Sequence, residues 1–422
     1  MNILIVSPFL PYPLDNGGAM RIYHLARHLA ARHRVALLSY GILTDDAARA
    51  LSFCESVTVA PAPEFPRPWR EHLRALPGPL PASVCYPIGP LVERLQSVLR
   101  RSHFDVIEVE FLGIAHVVHA FGAGPRRILV NHLITSESRS RQLRLMPWGV
   151  KRFYYGMDLL KLRRYERRVL SAFDGCVTVS ARDAARIASW APGVPVAAVA
   201  NGVDTDAFRP QGTEAPDSLI FIGSFDRDQV NADAAIYLAR AVLPLIRRYI
   251  PNARLTVVGS NPPAAVRDLA RFPGITVTGR VDDVRPHLSR ASVMVLPLRG
   301  GAGTKIRVYT AMAMQKPIVA TSVAAEGLEA APGREIVIAD GLQAFADEVV
   351  SLLNDRERRQ RIGRAARARA VAEYDWRISA GRLEEFLQTL TAETRRQAPG
   401  AVVAEAGRGA GPLDLVTSRA KR

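Results

Sequence analysis

Cysteine is scarce in this chain: Cys54, Cys85 and Cys176 are an odd number without metal-ligand spacing. That argues against a disulfide framework and for a reducing compartment, with the three thiols as core-packing residues. Long apolar runs are also missing, and no segment approaches the roughly 20 apolar residues that a spanning helix needs. The opening run Met1-Asn2-Ile3-Leu4-Ile5-Val6-Ser7-Pro8 has no basic flank and no cleavage site, so it does not read as a signal peptide. The chain therefore reads as cytoplasmic, either soluble or peripheral at the inner face of the cell membrane. Lysine is rare as well. Lys and Arg total 56 against 40 Asp and Glu, a formal charge of +16, and nearly all of that positive charge is arginine. Such a balance favours anionic partners. Arginine excess also follows from genome composition, and we assign no nucleic-acid partner.

What is present is ordinary globular material in an amount that exceeds one core. At 422 residues, with 48% hydrophobic and 23% charged residues, two domains are expected. Residues 2–7 form a continuous apolar run, as a strand buried on both faces requires. A Pro- and Gly-containing loop and an amphipathic stretch from Ala19 to Arg32 follow it. Short strand-like runs at 35–39, 57–59, 106–109, 128–130 and 176–179 alternate with helical patterns, the longest from Val150 to Ala172. The theme restarts after Asn201-Gly202-Val203-Asp204 and a polar stretch at 210–216 that reads as a linker. Runs at 219–223, 255–259, 275–279, 293–296 and 318–320 are the strands of the second half, and three of them end in glycine. This alternation predicts an α/β protein of two doubly wound, Rossmann-like domains facing each other across a cleft. The expected division is 1–200, 201–375, a C-terminal helix at 376–390 returning to the N-terminal domain, and a disordered tail at 391–422.

The chemistry is expected where glycine meets a helix start. Arg299-Gly300-Gly301-Ala302-Gly303-Thr304-Lys305 precedes the helical pattern Ile306 to Gln315. Backbone N–H groups at a helix N-terminus, with a lysine in the first turn, suit a diphosphate; a flexible loop with a solvated lysine uses the same residues. The spacing is not that of a Walker loop. A second pair, Gly17-Gly18, follows the first strand, with Asp15 and Asn16 able to cap the helix. Carboxylates Glu108 and Glu110 end the strand at 106–109, where alternate residues face the same way.

These motifs, in their order and spacing, resemble the family 4 glycosyltransferases over residues 1 to 390. The similarity is carried by Gly301-Ala302-Gly303-Thr304-Lys305-Ile306-Arg307-Val308, Ala311-Met312-Ala313-Met314, Lys316-Pro317-Ile318-Val319 and Glu326-Gly327-Leu328. Asn201-Gly202-Val203-Asp204, Phe221-Ile222-Gly223-Ser224 and Gly279-Arg280-Val281-Asp282 add to it. The resemblance implies the GT-B fold, retaining and metal-independent sugar transfer without a cofactor, and a nucleotide diphosphate sugar on the C-terminal domain. Its base would lie near Arg280 and Val281, and its diphosphate near Gly223, Gly301, Gly303, Thr304 and Lys305. Gly17 and Gly18 would close on the phosphates, His132 would lie near the reacting sugar, and Lys305 would stabilise the leaving group. Where the family commonly has two glutamates eight positions apart, this chain has Ala302 and Thr310. Glu326 and Glu110 are candidates for sugar or acceptor contact.

The acceptor implied is a saccharide or polyprenyl-linked sugar of polysaccharide or cell-envelope synthesis. Two basic, aromatic stretches are candidates for an anionic membrane surface. One runs from Arg139 through Arg144, Trp148, Lys151, Phe153, Tyr154 and Tyr155 to Arg168, and the other is Arg67 to Arg74. Two rival readings are a nucleotide-sugar epimerase on the same fold and a catalytically weak partner subunit.

Overall fold

The apolar run at the N-terminus becomes β1 (Asn2–Ser7), buried along nearly its whole length as an interior strand of a seven-stranded parallel sheet. The computed structural model describes residues 1–63, 78–122, 124–225 and 229–397. The stretch 67–74 and residues 398–422 lie outside the described residues. In the first sheet β2 (Arg34–Tyr40), β3 (Ser56–Ala60), β4 (Val106–Glu110), β5 (Arg126–Asn131), β6 (Gly175–Thr178) and β7 (Val196–Ala198) join β1 in the order β3-β2-β1-β4-β5-β6-β7. The second sheet contains β8 (Ser218–Ile222), β9 (Arg254–Val258), β10 (Ile275–Gly279), β11 (Val293–Leu296), β12 (Ile318–Ala320) and β13 (Val337–Ile338), in the order β10-β9-β8-β11-β12-β13. Every pairing is parallel. Such sheets need both faces covered, which is why their strands read as unbroken apolar runs.

In each sheet the order reverses beside the first strand, between β1 and β4 and between β8 and β11. Open α/β sheets bind ligands at the carboxyl edge of such switch points. The short edge strands β7 and β13, of three and two residues, escape the sequence reading because so few residues carry no periodicity.

Asn16 opens the first crossover helix, Gly17–Ala30, its side chain accepting from Ala19 N. The two faces of the first sheet are filled by separate apolar clusters, one around Leu4, Val6, Val109 and Leu129, the other around Ile3, Ile5, Ile22 and Leu25. The helix Trp376–Gln397 belongs to the second cluster through Trp376, Ala380, Leu383, Leu387 and Leu390, so the chain's last described helix packs on its first domain. It remains helical through Gln397, past the residue where the sequence periodicity ends. The stretch 210–216 is not a bare linker, since Ala215 N donates to Arg290 O at 2.8 Å and so seats it on the second domain.

The chain passes between the domains twice, side by side. Val203 N donates to Tyr374 O at 2.8 Å, and Trp376 N donates to Val203 O at 3.2 Å. Gly202 is required there, because a Cβ would stand 2.7 Å from the Trp376 ring. No described helix is long and apolar enough to cross a membrane.

The packing of the last helix yields an expected outcome. Leu387 is fully buried, and Leu387→Ala should lower stability by about 2–5 kcal/mol. A shift in the urea-unfolding midpoint checks this; an unchanged midpoint would show that the helix is not part of the first domain's core.

Candidate active site

The glycine-rich turn leaves β11 at the carboxyl edge of the second sheet and enters the helix Ile306–Ala313 at Lys305. Gly301 and Gly303 hold positive φ, 97° and 72°, a backbone that L side chains rarely adopt. Lys305 folds over this turn, its Nζ donating to Ala302 O at 2.9 Å and Gly303 O at 2.5 Å. The turn is only half-exposed. A Cβ on Gly303 would meet Leu133 Cβ at 3.3 Å and His132 O at 3.4 Å, so the turn is set against the carboxyl end of β5 in the other domain.

The first domain's glycine pair faces the same helix start. A Cβ on Gly17 would touch Ile306 at 3.4 Å, and one on Gly18 would sit 2.7 Å from the Phe111 ring. Phe111 in turn stacks on His132, with ring centroids 3.7 Å apart and planes 10° apart. His132 Nε2 lies 2.6 Å from Glu110 Oε2. Burial pushes the carboxyls of Glu110 and Glu108 up to about 8, with the nearby Glu110 charge adding to the effect on Glu108. Burial, helped by the Arg21 charge, holds the imidazole of His132 well below its ordinary value. Near neutrality the pair is thus an uncharged imidazole beside a carboxyl that keeps its proton.

Behind this pair lies a fully buried arginine that the sequence reading did not single out. Arg21 Nη1 donates to Ala200 O at 3.2 Å and Asn201 Oδ1 at 3.1 Å. Its Nε and Nη2 have no hydrogen-bond partner among the described residues. Asn201 Nδ2 donates onward to Thr304 Oγ1 at 2.8 Å, which links the interdomain crossing to the glycine-rich turn.

The remaining sequence candidates fall in different places. Gly223, just after β8, is required for close approach, because a Cβ would stand 2.5 Å from Arg307 Nη1. Arg307 donates to Ile222 O and to Asn231 Oδ1, the latter at 2.8 Å, and so lines the same carboxyl edge. Arg280 is exposed and Val281 half-buried after β10, at the sheet edge three positions from β11. Thr310 turns its hydroxyl back to Ile306 O at 3.2 Å, spending it on its own helix. Glu326 lies in the cleft, where it pairs with Arg141 and Arg182 of the first domain. Arg139 donates to Ser83 O at 3.1 Å and to Gln142. Two of the arginines read as membrane-facing are therefore engaged elsewhere, Arg141 in the cleft and Arg139 with its own domain. Tyr154 is likewise buried, and Tyr155 lines a partly open cavity of about 110 Å³ with Arg139, Leu143 and Met146.

Comparison with known proteins divides the chain as the sheets do. Residues 15–207 match the family model described as Glycosyltransferase Family 4, and residues 216–355 match the one described as Glycosyl transferases group 1. The GDP-mannose-dependent alpha-(1-6)-phosphatidylinositol monomannoside mannosyltransferase of Mycobacterium tuberculosis is 29% identical over 249 residues, covering 53% of this chain and 63% of that protein. The phosphatidyl-myo-inositol mannosyltransferase of Propionibacterium freudenreichii is 27% identical over 228 residues, covering 50% of this chain and 55% of that protein. The matched part of this chain thus spans less than two thirds of either relative's length. Sucrose-phosphate synthase of Thermosynechococcus elongatus shares the fold with a TM-score of 0.71 and 16% identity, over 93% of this chain and all of that one. Anabaena HepE, solved in complex with UDP and glucose, has a TM-score of 0.64 and 12% identity, over 92% of this chain and all of that one.

The buried carboxyls make a pH prediction. Unfolded, Glu108 ionises near 4.5; folded, near 8. Its contribution to stability is full below the unfolded value and is lost as pH rises toward 8. Glu108→Gln, which has no proton to lose, should therefore gain stability over the unmodified protein as pH climbs through that window. Thermal unfolding across the series checks this, and a difference independent of pH would contradict the raised pKa.

Proposed function

Since this chain belongs to glycosyltransferase family 4, we propose that it moves a sugar from a nucleotide diphosphate donor to a saccharide or lipid-linked acceptor of the cell envelope. The observation that carries the reading is the facing of two carboxyl sheet edges. The glycine-rich turn and Lys305 come from one domain, Gly17, Gly18 and His132 from the other, and the turn at Gly303 abuts His132 itself. A diphosphate seated on the turn would meet a helix start and a lysine, which favour negative charge. The sugar would then extend toward His132.

Transfer with retention needs no protein nucleophile when the leaving group departs and the acceptor attacks on one face of the sugar. The bond between the anomeric carbon and the diphosphate oxygen breaks, the acceptor hydroxyl bonds to that carbon, and its proton passes to the departing diphosphate. The chain's task is to stabilise the charge that grows on the diphosphate, and fixed donors do this well in a site that excludes water. His132, uncharged near neutrality, offers a hydrogen bond to the sugar, with Glu110 fixing the ring's orientation. Because both mannosyltransferase relatives act in phosphatidylinositol mannoside chemistry by name, GDP-mannose is the first donor to test. None of the relatives named is an epimerase.

The membrane-facing part of the proposal rests on the helix Val150–Leu170. Val150, Phe153, Met157 and Leu160 recur at three- and four-residue spacing and are exposed by 74, 73, 41 and 51%. Trp148, 87% exposed, precedes them. Lys151, Arg163, Arg164, Arg167 and Arg168 are exposed on the same helix. An apolar stripe flanked by arginines suits an anionic bilayer surface, where each basic residue contributes about 1 kcal/mol.

Three outcomes follow. Thermal-shift screening with GDP-, UDP-, ADP- and dTDP-sugars should find one donor that stabilises the protein, by about 2.7 kcal/mol at a hundredfold excess over Kd. Lys305→Met should then cut transfer on the order of 10²- to 10³-fold. Stabilisation by no nucleotide sugar, or binding without transfer to any acceptor, would favour the partner-subunit reading that Thr310 suggests. Flotation with phosphatidylglycerol vesicles should carry the protein upward, and a Phe153→Ser, Leu160→Ser variant should stay below. Equal flotation of the two would remove the helix from the membrane account.

A further inference from the structure

Across the cleft from the glycine-rich turn lies a cluster of charge contributed mainly by the first domain. The helix Thr135–Leu145 supplies Glu137 and Arg141, and the helix Ala181–Trp190 supplies Arg182 and Arg186. Arg141 places both terminal nitrogens on Glu326, Nη2 at 2.6 Å from Oε1, while its Nη1 also donates to Gly301 O at 3.0 Å. Arg182 shares Glu326 and reaches Glu137 at 2.9 Å; Arg186 reaches Glu137 at 3.6 Å.

Three guanidiniums therefore face Glu137 and Glu326, with the carboxyl of Asp183 also acting on Arg141 and Arg182, and the charge of Lys305 reaches Glu326 as a fourth cation. The cluster is left positive at the turn where a dianion is expected. Its central pair is only partly buried, with Arg141 32% and Glu326 15% exposed. Glu326 keeps a second partner in Arg182, so an incoming anion can take its place on Arg141 without leaving the carboxylate unpaired. The planar fork of arginine fits a phosphate as it fits a carboxylate, with two parallel hydrogen bonds.

We infer that Arg141 is a donor-binding residue supplied by the N-terminal domain, which exchanges Glu326 for the sugar-bearing phosphate of the nucleotide diphosphate. Glu326 holds the guanidinium over the glycine-rich turn until the anion arrives, then remains paired with Arg182. No covalent bond changes in this step; one ion pair replaces another, and the two domains come to hold the same ligand. The inference rests on the donor site proposed above and deepens it.

Calorimetric binding of GDP, UDP and the corresponding monophosphates separates the possibilities. The unmodified protein should prefer one diphosphate to its monophosphate. Arg141→Met should weaken that diphosphate about 10- to 100-fold, as loss of a charge-assisted contact does, and leave the monophosphate unchanged. The unchanged monophosphate also reports an intact fold. Arg141→Lys, which keeps the charge and loses the fork, should fall between. Glu326→Gln should do the opposite and tighten diphosphate binding several-fold, an effect that should vanish in the Arg141→Met background. Weakening by Glu326→Gln to the same degree as Arg141→Met would make the pair a structural latch and overturn the inference. So would diphosphate binding indifferent to Arg141→Met. Absence of diphosphate binding by the unmodified protein would overturn both the inference and the donor site beneath it.

Discussion

A single buried cation ties the two halves of this molecule together. Arg21 has no exposed surface, and burying a guanidinium costs several kcal/mol unless polar groups answer it. Those groups come from both sides of the cleft's base. Ala200 and Asn201 lie where the chain crosses between domains, and the carboxyl groups of Glu108 and Glu110 come from the end of β4. Each partner leads further: Asn201 to Thr304 in the glycine-rich turn, Glu110 to His132. The side chain that solves its own desolvation problem therefore ties the glycine-rich turn to His132. It leaves Nε and Nη2 without hydrogen-bond partners among the described residues. An incompletely answered buried charge of this kind is more readily explained by positioning than by stability.

How much of this was legible in the sequence varies with the range of the interaction. The two sheets were, because a strand buried on both faces must be apolar throughout and its crossover helix must be amphipathic, and both signals are local. The glycine-rich turn was legible for the same reason, since positive φ at Gly301 and Gly303 is a backbone requirement written in residue type. Arg21 was not, since a lone arginine in the amphipathic Gly17–Ala30 helix has the appearance of a solvated one. Arg141 was assigned to a basic, membrane-facing stretch, yet it points into the cleft at Glu326, 185 residues away. Nothing in a charge run says which of its members face solvent. Only the register of a helix against its neighbours decides that, and it places Arg141 and Phe153 on different sides of one helical pair.

The departure at Thr310 also finds a physical account. A glutamate there would project a charge from the Ile306–Ala313 helix; the threonine instead returns its hydroxyl to Ile306 O. The charge economy of the cleft is shifted accordingly. Positive groups predominate around the turn, with Lys305 and Arg307 from one domain and Arg141 and Arg182 from the other, while Glu326 balances them from the loop after β12. On the proposed donor site, binding selectivity would lean on the diphosphate more than on the ribose hydroxyls. Discrimination between nucleotides would then be set by the surroundings of the base after β10 rather than by a carboxylate at the ribose.

The helix Val150–Leu170 and the cleft are mechanically one unit. Asp158, on the helix Val150–Leu170, accepts from the backbone of Ala82 and Ser83 at 3.0 and 3.2 Å. Glu166, further along, accepts from Thr135 N at 2.8 Å and Ser136 N at 3.3 Å, capping the helix that carries Arg141. Both carboxylates are buried, so these hydrogen bonds are costly to break. A lipid surface that settles the exposed stripe Val150, Phe153, Met157 and Leu160 therefore also settles the helix Thr135–Leu145. On the proposed docking, the Arg141 guanidinium would be held at a fixed offset from the bilayer plane. An acceptor whose hydroxyl projects from that surface would meet the cleft from the side of the first domain. With the diphosphate seated on the second domain, as proposed, the two substrates would converge where Gly303 meets His132.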